Sequence, residues 1–194
     1  MVSFTDQVAG VIGVADKIKP DSAAAVAAMK VIGVEPVMLT GDNQKAAEHV
    51  ATQVGITKVF GGLLPEDKAI RISELQRTIG PAAHVGDGVN DAPALATATV
   101  GIAMGALGSD TAIETAGVAL MNDDLRLIPY LIQLSRATLN RIRFNTGLAI
   151  LVKVTFLSLA FFGMSNLVLA IAADVGVTLL VILTSLQLMR WKPE

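Results

Sequence analysis

Two aspartates four residues apart, Asp87 and Asp91, stand in the run Val85-Gly86-Asp87-Gly88-Val89-Asn90-Asp91-Ala92-Pro93. A β-branched approach and a glycine turn describe a strand that ends in a carboxylate-lined loop and opens a helix. Paired hard oxygen donors at such a loop suit Mg²⁺ beside a phosphate. A second run, Thr40-Gly41-Asp42-Asn43, puts a hydroxyl and backbone N–H groups at a strand end just before a helix N-terminus, which suits an anion. Taken alone it also reads as an ordinary turn with an Asn or Asp cap. Pro65-Glu66-Asp67-Lys68 is a helix start, and its lysine alone reads as solvated.

The elements around these runs alternate regularly. Short apolar strands are expected at Val11–Ala15, Pro36–Thr40, near Lys58–Phe60, His84–Gly86, Val100–Ala103 and Val118–Leu120. Between them fall helices: an alanine-rich one capped by Asp21 or Ser22, running to Lys30 and ended by Gly33, then Gln44–Gln53, Glu66–Thr78, a short Asp91–Ala96 and Ser109–Thr115. Such alternation predicts an α/β domain with a doubly wound parallel sheet. Ligands bind beyond the carboxyl ends of such strands, where Thr40, Asp87 and Asp91 fall.

After Asp123-Asp124 the character changes. A polar amphipathic stretch, Leu125 to Arg143, runs into an apolar stretch, Phe144 to Gly163, interrupted by Lys153. Met164-Ser165-Asn166 is a short break, and the second apolar run, Leu167 to Met189, contains Asp174. Each run is long enough to cross a hydrocarbon core of about 30 Å. Arg136, Arg141 and Arg143 flank the first, Arg190 and Lys192 the second, and the turn carries no charge, so both termini are expected in the cytoplasm. Trp191 is expected at the interface. Lys153 and Asp174 fall at similar depth, ~12–15 Å from the turn, so a hairpin can pair them. Ionisable groups inside spanning helices are costly and are usually paired or functional.

Hydrophobic residues make up 53% of the chain and mean hydropathy is +0.60, with the excess in the last third. A net charge of −2 gives a nucleic-acid partner no electrostatic support. The absence of cysteine fits a reducing compartment and excludes thiolate metal sites within the chain. No signal peptide is expected from MVSFTDQVAG, which has no basic region before a long apolar core. His49 and His84 have no partner at metal-ligand spacing; His49 is expected on a helix surface and His84 as a partly buried strand residue.

TGDN, PEDK and GDGVNDAP, in that order and each at a strand-to-helix junction, resemble the phosphate site of the P-type ATPases, cation pumps with a haloacid-dehalogenase-like phosphorylation domain. Asp16-Lys17-Ile18-Lys19-Pro20, Ala92-Pro93-Ala94-Leu95, Gly101-Ile102-Ala103-Met104-Gly105 and Ala112-Ile113-Glu114-Thr115-Ala116 match the same family. The resemblance implies that Thr40 donates to phosphoryl oxygens, Gly41 adds its N–H, and Asp42 belongs to the same catalytic loop. It implies that Lys68 neutralises an aspartyl phosphate, that Gly86 and Asp87 form the Mg²⁺ loop, and that Asn90 and Asp91 hold the site, Asp91 near Lys68 and the metal. Lys153 with Asp174-Val175-Gly176 resembles the last two helices of the Zn²⁺/Cd²⁺/Pb²⁺-exporting branch, where they contribute to the transport site. The His-Glu-Gly-Gly of the cobalt-type branch and the Asn-Tyr and Met-x-x-Ser-Ser motifs of copper-type pumps are absent.

The pump's phosphorylated aspartate, in the family sequence DKTGT, occurs nowhere in this chain. Asp16 is a poor substitute, because no Thr-Gly-Thr follows it and the segment fits the family's DxxKP pattern better. The resemblance therefore implies the second half of a phosphorylation domain (residues 1–123), an amphipathic linker helix (124–143), transmembrane helices at 144–163 and 167–189, and a cytoplasmic tail (190–194). That is the C-terminal portion of an ATP-driven Zn²⁺/Cd²⁺ efflux pump in the cell membrane, with Mg²⁺ and ATP as the parent's cofactors and the bilayer as partner. A truncated gene, a split reading frame and a fragmentary gene model all stay open, as does a separately encoded N-terminal half. The rival readings are a membrane-tethered phosphatase of the dehalogenase fold, which requires a nucleophile such as Asp16, and a non-catalytic membrane binding or regulatory module.

Overall fold

A computed structural model of the chain describes residues 2–4, 7–10, 17–87, 90–105, 114–164 and 166–190. The strand expected at Val11–Ala15, the candidate nucleophile Asp16, most of the helix expected at Ser109–Thr115, and Trp191 lie outside the described residues. The chain forms two compact units, Met1–Arg126 and Leu127–Glu194.

The first unit opens with an antiparallel hairpin not anticipated from sequence, β1 (Val2–Phe4) and β2 (Gln7–Gly10), in which Phe4 pairs with Gln7. Next come α1 (Ser22–Val31), β3 (Val37–Leu39), α2 (Gln44–Val54), β4 (Lys58–Phe60) and α3 (Pro65–Thr78). They are followed by β5 (Ala83–Gly86), α4 (Ala92–Thr97), β6 (Val100–Met104) and β7 (Val118–Leu120). The pairing is parallel, as strand–helix alternation requires. β3 pairs with β4, Val37 opposite Lys58, and β5, β6 and β7 form a second ladder with Val85 opposite Ile102 and Ile102 opposite Val118.

Local chemistry sets the helix ends. Asn43 accepts a bond from the Ala46 N–H at 3.0 Å and so caps α2, which Gly55 ends at φ 81°. In α3, Pro65 lacks the N–H that a first turn cannot use, and Asp67 accepts from the Leu64 N–H at 3.0 Å. The expected Asp21 cap is corrected. Asp21 stands at the N-cap position of α1, but its side chain makes no capping bond and lies instead 3.5 Å from Arg126. Arg126 also forks onto Asp124, with Nε and Nη2 bonds of 3.0 and 2.9 Å, and Lys19 pairs with the Asp123 carboxylate. This network ties the segment after β7 to the start of α1, and an ion pair there replaces the cap.

The core is small and alanine-rich. Ala47, Ala51 and Val54 line one stripe of α2, and Ile72, Ala94, Leu95, Ile102 and Ala103 are buried around β5 and β6. α4 lies so close to β6 that a Cβ on Gly101 would stand 2.6 Å from the Leu95 carbonyl oxygen.

The second unit is a hairpin of α5 (Leu127–Phe161) and α6 (Leu167–Leu186), the latter extended by a 3-10 turn at Gln187–Arg190. Gly163, at φ 69°, lies in the connecting turn, and Asn166 caps α6 by accepting from the Val168 N–H at 2.9 Å. The amphipathic stretch and the first apolar run share one continuous helix. Both helices are long and apolar enough to cross a membrane, with most large apolar side chains facing outward.

Gly101→Ala should destabilise the first unit by about 1–3 kcal/mol, since the added methyl must displace backbone of α4. Gly117→Ala, whose Cβ would meet its nearest neighbour at 3.8 Å, serves as the control. Urea unfolding followed by circular dichroism should separate the two variants.

Candidate functional site

Three elements converge on Asp91, which stands at the N-cap position of α4 without capping it. Its side chain folds back over the end of β5 instead. A Cβ on Gly86 would lie 2.5 Å from Asp91 Oδ2 and 2.9 Å from Asp91 Cβ, so glycine is required there for contact reasons. From the first turn of α3, the Lys68 ammonium donates to Asp91 Oδ1 at 2.5 Å. Both side chains are only 13–14% exposed. A salt bridge so withdrawn from water is strongly destabilised by loss of one partner.

The third element, β5, was expected from sequence, but the place of His84 beside Asp91 was not. His84, buried on β5, has its Nε2 3.7 Å from Asp91 Oδ2, and among the described residues that nitrogen has no closer hydrogen-bond partner. A signal was present, because His84 and Gly86 are two apart on a strand and share the face that Asp91 covers. His84, and after it Lys68, hold the Asp91 carboxyl down at about 2 against the burial that pushes it up. Asp91 is therefore an ionised carboxylate throughout the neutral range. Asp87 and Asn90 lie exposed on either side of Gly88 and Val89, which are outside the described residues.

A second locus forms at the carboxyl end of β3. The Thr40 hydroxyl accepts from the Asp42 N–H at 3.1 Å and donates to the Asp42 carboxylate at 3.2 Å. Thr40 N–H donates to the Phe60 carbonyl and Leu63 N–H to the Thr40 carbonyl, each at 3.0 Å. Gln44 locks the facing loop by accepting from the Gly61 N–H at 2.7 Å. Leu63 leads directly into Leu64 and α3, so the strand end that bears Thr40 is tied to the helix that bears Lys68. Gly41 is exposed, its Cβ position 3.4 Å from the Leu63 carbonyl oxygen. His49 is exposed on α2, beside Gln53.

In the second unit Lys153 Nζ lies 3.7 Å from Asp174 Oδ1. No cluster of three or more His, Cys, Asp or Glu occurs among the described residues. The oxygen donors at the end of β5, with an ionised Asp91, fit Mg²⁺, which binds through one or two carboxylates and phosphate oxygens.

Parallel β-strands alternating with helices, and carboxylates at the end of β5, define an α/β domain with an acidic strand-end loop. The chain belongs to the haloacid dehalogenase-like hydrolase family, which matches residues 2–99. It is 48% identical to a "probable cadmium-transporting ATPase" of Staphylococcus aureus, an alignment that covers 100% of this chain and 24% of that protein. It is 44% identical to a zinc/cadmium/lead-transporting P-type ATPase of Escherichia coli, over 98% of this chain and 26% of the relative. The crystal structure of a zinc-transporting PIB-type ATPase matches with a TM-score of 0.83 at 44% identity, covering 89% of this chain and 28% of that one. The chain thus spans about a quarter of the length of these relatives and aligns with a C-terminal portion of them.

The folded Asp91 carboxyl, at about 2, lies below its ordinary 3.8. Its stabilisation, about 2 kcal/mol, is whole above roughly pH 4 and is lost as pH falls toward 2. Acid unfolding followed by circular dichroism should show this loss in the native chain, with a flatter acid limb in Asp91→Asn. Lys68→Met should raise the Asp91 carboxyl, as read by ¹³C NMR titration.

Proposed function

We propose that this chain supplies the Mg²⁺- and phosphate-stabilising residues, and part of the transmembrane metal site, of an ATP-driven Zn²⁺/Cd²⁺ efflux pump. The observation that carries the reading is the Lys153–Asp174 pair at 3.7 Å across a hairpin of apolar helices, in a chain whose dehalogenase-type domain separately holds a buried Lys68–Asp91 pair. Relatives named for cadmium and zinc transport, aligned over nearly the whole chain, support it.

Phosphoryl transfer is mainly a matter of positioning and charge neutralisation. Thr40 offers its hydroxyl, and Gly41 its N–H, to the phosphoryl oxygens, with Asp42 holding the loop's shape through its bonds to Thr40. Lys68 supplies the positive charge beside the phosphate. Asp87 and Asp91 would hold Mg²⁺, with Gly86 giving the backbone room and Asn90 completing the loop. The bound Mg²⁺ would neutralise phosphate charge. The nucleophile and the nucleotide site are supplied by a DKTGT-bearing segment, which together with ATP completes the catalytic unit.

In the membrane, Asp174 is a carboxylate ligand for the transported Zn²⁺ or Cd²⁺, and Lys153 its charge partner when the ion is gone. An uncompensated charge at that depth is costly, and the ammonium stands in for the departing cation. The globular unit and both termini are cytoplasmic, with the connection between the two helices on the far side.

Three outcomes test this. The 194-residue chain incubated with radiolabelled ATP or acetyl phosphate should retain no acid-stable label; label on Asp16, lost in Asp16→Asn, supports the phosphatase reading instead. With single cysteines at Ser165 or Glu194, an impermeant thiol reagent on intact cells should label Ser165→Cys only, and the reverse pattern overturns the topology. Grafted onto the front half of a zinc pump, the chain with Asp174→Ala should lose zinc-stimulated ATP hydrolysis. Full turnover with stoichiometric zinc binding would make the pair structural.

A further inference from the structure

The Lys153–Asp174 pair cannot hold its own geometry. Its side chains are 71% and 61% exposed, and the pair must open whenever a cation takes the carboxylate. The outward faces of α5 and α6 do not fix it either, because lipid tails are as apolar as the leucines and valines they meet. The register must be set elsewhere along the hairpin.

Asn145 is the one buried polar side chain among the hairpin's described residues. Its Nδ2 donates to Ser185 Oγ at 3.1 Å, and its Oδ1 accepts from Thr184 Oγ1 at 2.9 Å. The Thr184 hydroxyl also lies 3.0 Å from the Val181 carbonyl, so its single proton is shared between two acceptors. Arg141 Nη2 reaches Gln187 Oε1 at 3.2 Å. With Lys153–Asp174 these contacts form three rungs of one antiparallel register, each step toward the turn on α5 matched by a comparable step on α6. On α6, Ser185 and Asp174 are about three turns apart and lie within roughly 20° of one stripe.

We propose that Asn145 is a positioning residue that fixes the register of α6 on α5 and thereby holds Asp174 opposite Lys153. The functional meaning of that role rests on the reading of the pair as part of the metal site; the register itself does not. Sliding α6 by one turn, about 5.4 Å, breaks both amide bonds and strands a carboxamide where little water can satisfy it. The exposed rung is then free to exchange ammonium for metal, because the buried rung keeps the helices in place.

The chain has no cysteine, so the test can be made on the full chain in lipid nanodiscs. Lys153→Cys with Asp174→Cys removes the ion pair and reports the register through a short bifunctional thiol cross-linker. Asn145→Leu should lower the in-register yield about five- to tenfold, as expected for two interhelical bonds in a membrane. It should also move cross-linking toward cysteines placed one turn away, at Ala170 or Thr178. The exchange Asn145→Ser with Ser185→Asn should restore the yield, which a packing defect would not allow. Should Asn145→Leu fail to fold, Thr184→Val with Ser185→Ala removes the partners from α6 at little change in volume and should give the same loss. An unchanged yield in the folded variants, or a loss that the exchange does not restore, overturns the proposal. If cross-linking follows Asn145 while Asp174→Ala retains zinc-stimulated turnover in the chimeric pump, the register assignment stands and only the metal assignment falls.

Discussion

The first unit is organised around one carboxylate kept charged in a place that resists charge. Asp91 is mostly withdrawn from water, yet the imidazole of His84 and the ammonium of Lys68 hold it ionised. Those two groups come from β5 and α3, while Asp91 itself opens α4. Three successive elements are thus constrained through a single side chain. The glycines follow from the same demand. Gly86 yields space to the carboxylate, and Gly101 lets α4 settle against β6 so that Asp91 arrives where it is needed.

The membrane unit obeys a related constraint with neutral groups. An amide and two hydroxyls satisfy one another in the seam between the helices, while the ionic pair stays accessible. The globular unit buries its ion pair and leaves Asp87 exposed; the hairpin buries its amide and leaves the ion pair exposed. Each unit thus buries one set of mutually satisfied polar groups and leaves an ionisable group exposed.

Much of this was legible in the residues. Parallel strands, the helix starts at Asn43 and Pro65, and the placing of Thr40 and Asp87 at strand ends follow from apolar runs punctuated by glycine, proline and capping side chains. Lys153 and Asp174 could be paired by depth alone, since helical rise is fixed. Other features depend on partners far along the chain. The role of Asp21 was decided by Arg126, about a hundred residues away, which draws its carboxylate off the helix end. His84 looked like a strand residue because its significance comes from Asp91 folding back upon it. The division of the parallel strands into ladders of two and three, and the short hairpin β1–β2, carry no periodicity that a three-residue strand can display. The continuity of α5 was hidden by a change in polarity. Such a change marks where a helix enters a different solvent and does not itself interrupt the backbone.

That continuity has a mechanical side. Thirty-five residues of uninterrupted helix make a rod of about 52 Å, well beyond the roughly 30 Å hydrocarbon thickness. Its only proline, Pro129, lies in the first turn, where the backbone has no helical bond to lose. A rod of this kind has little slack. Without a mid-helix proline it lacks the commonest cause of a sharp kink between its polar end and the level of Lys153. The polar turns at one end and the apolar turns at the other thus belong to one rigid piece of backbone.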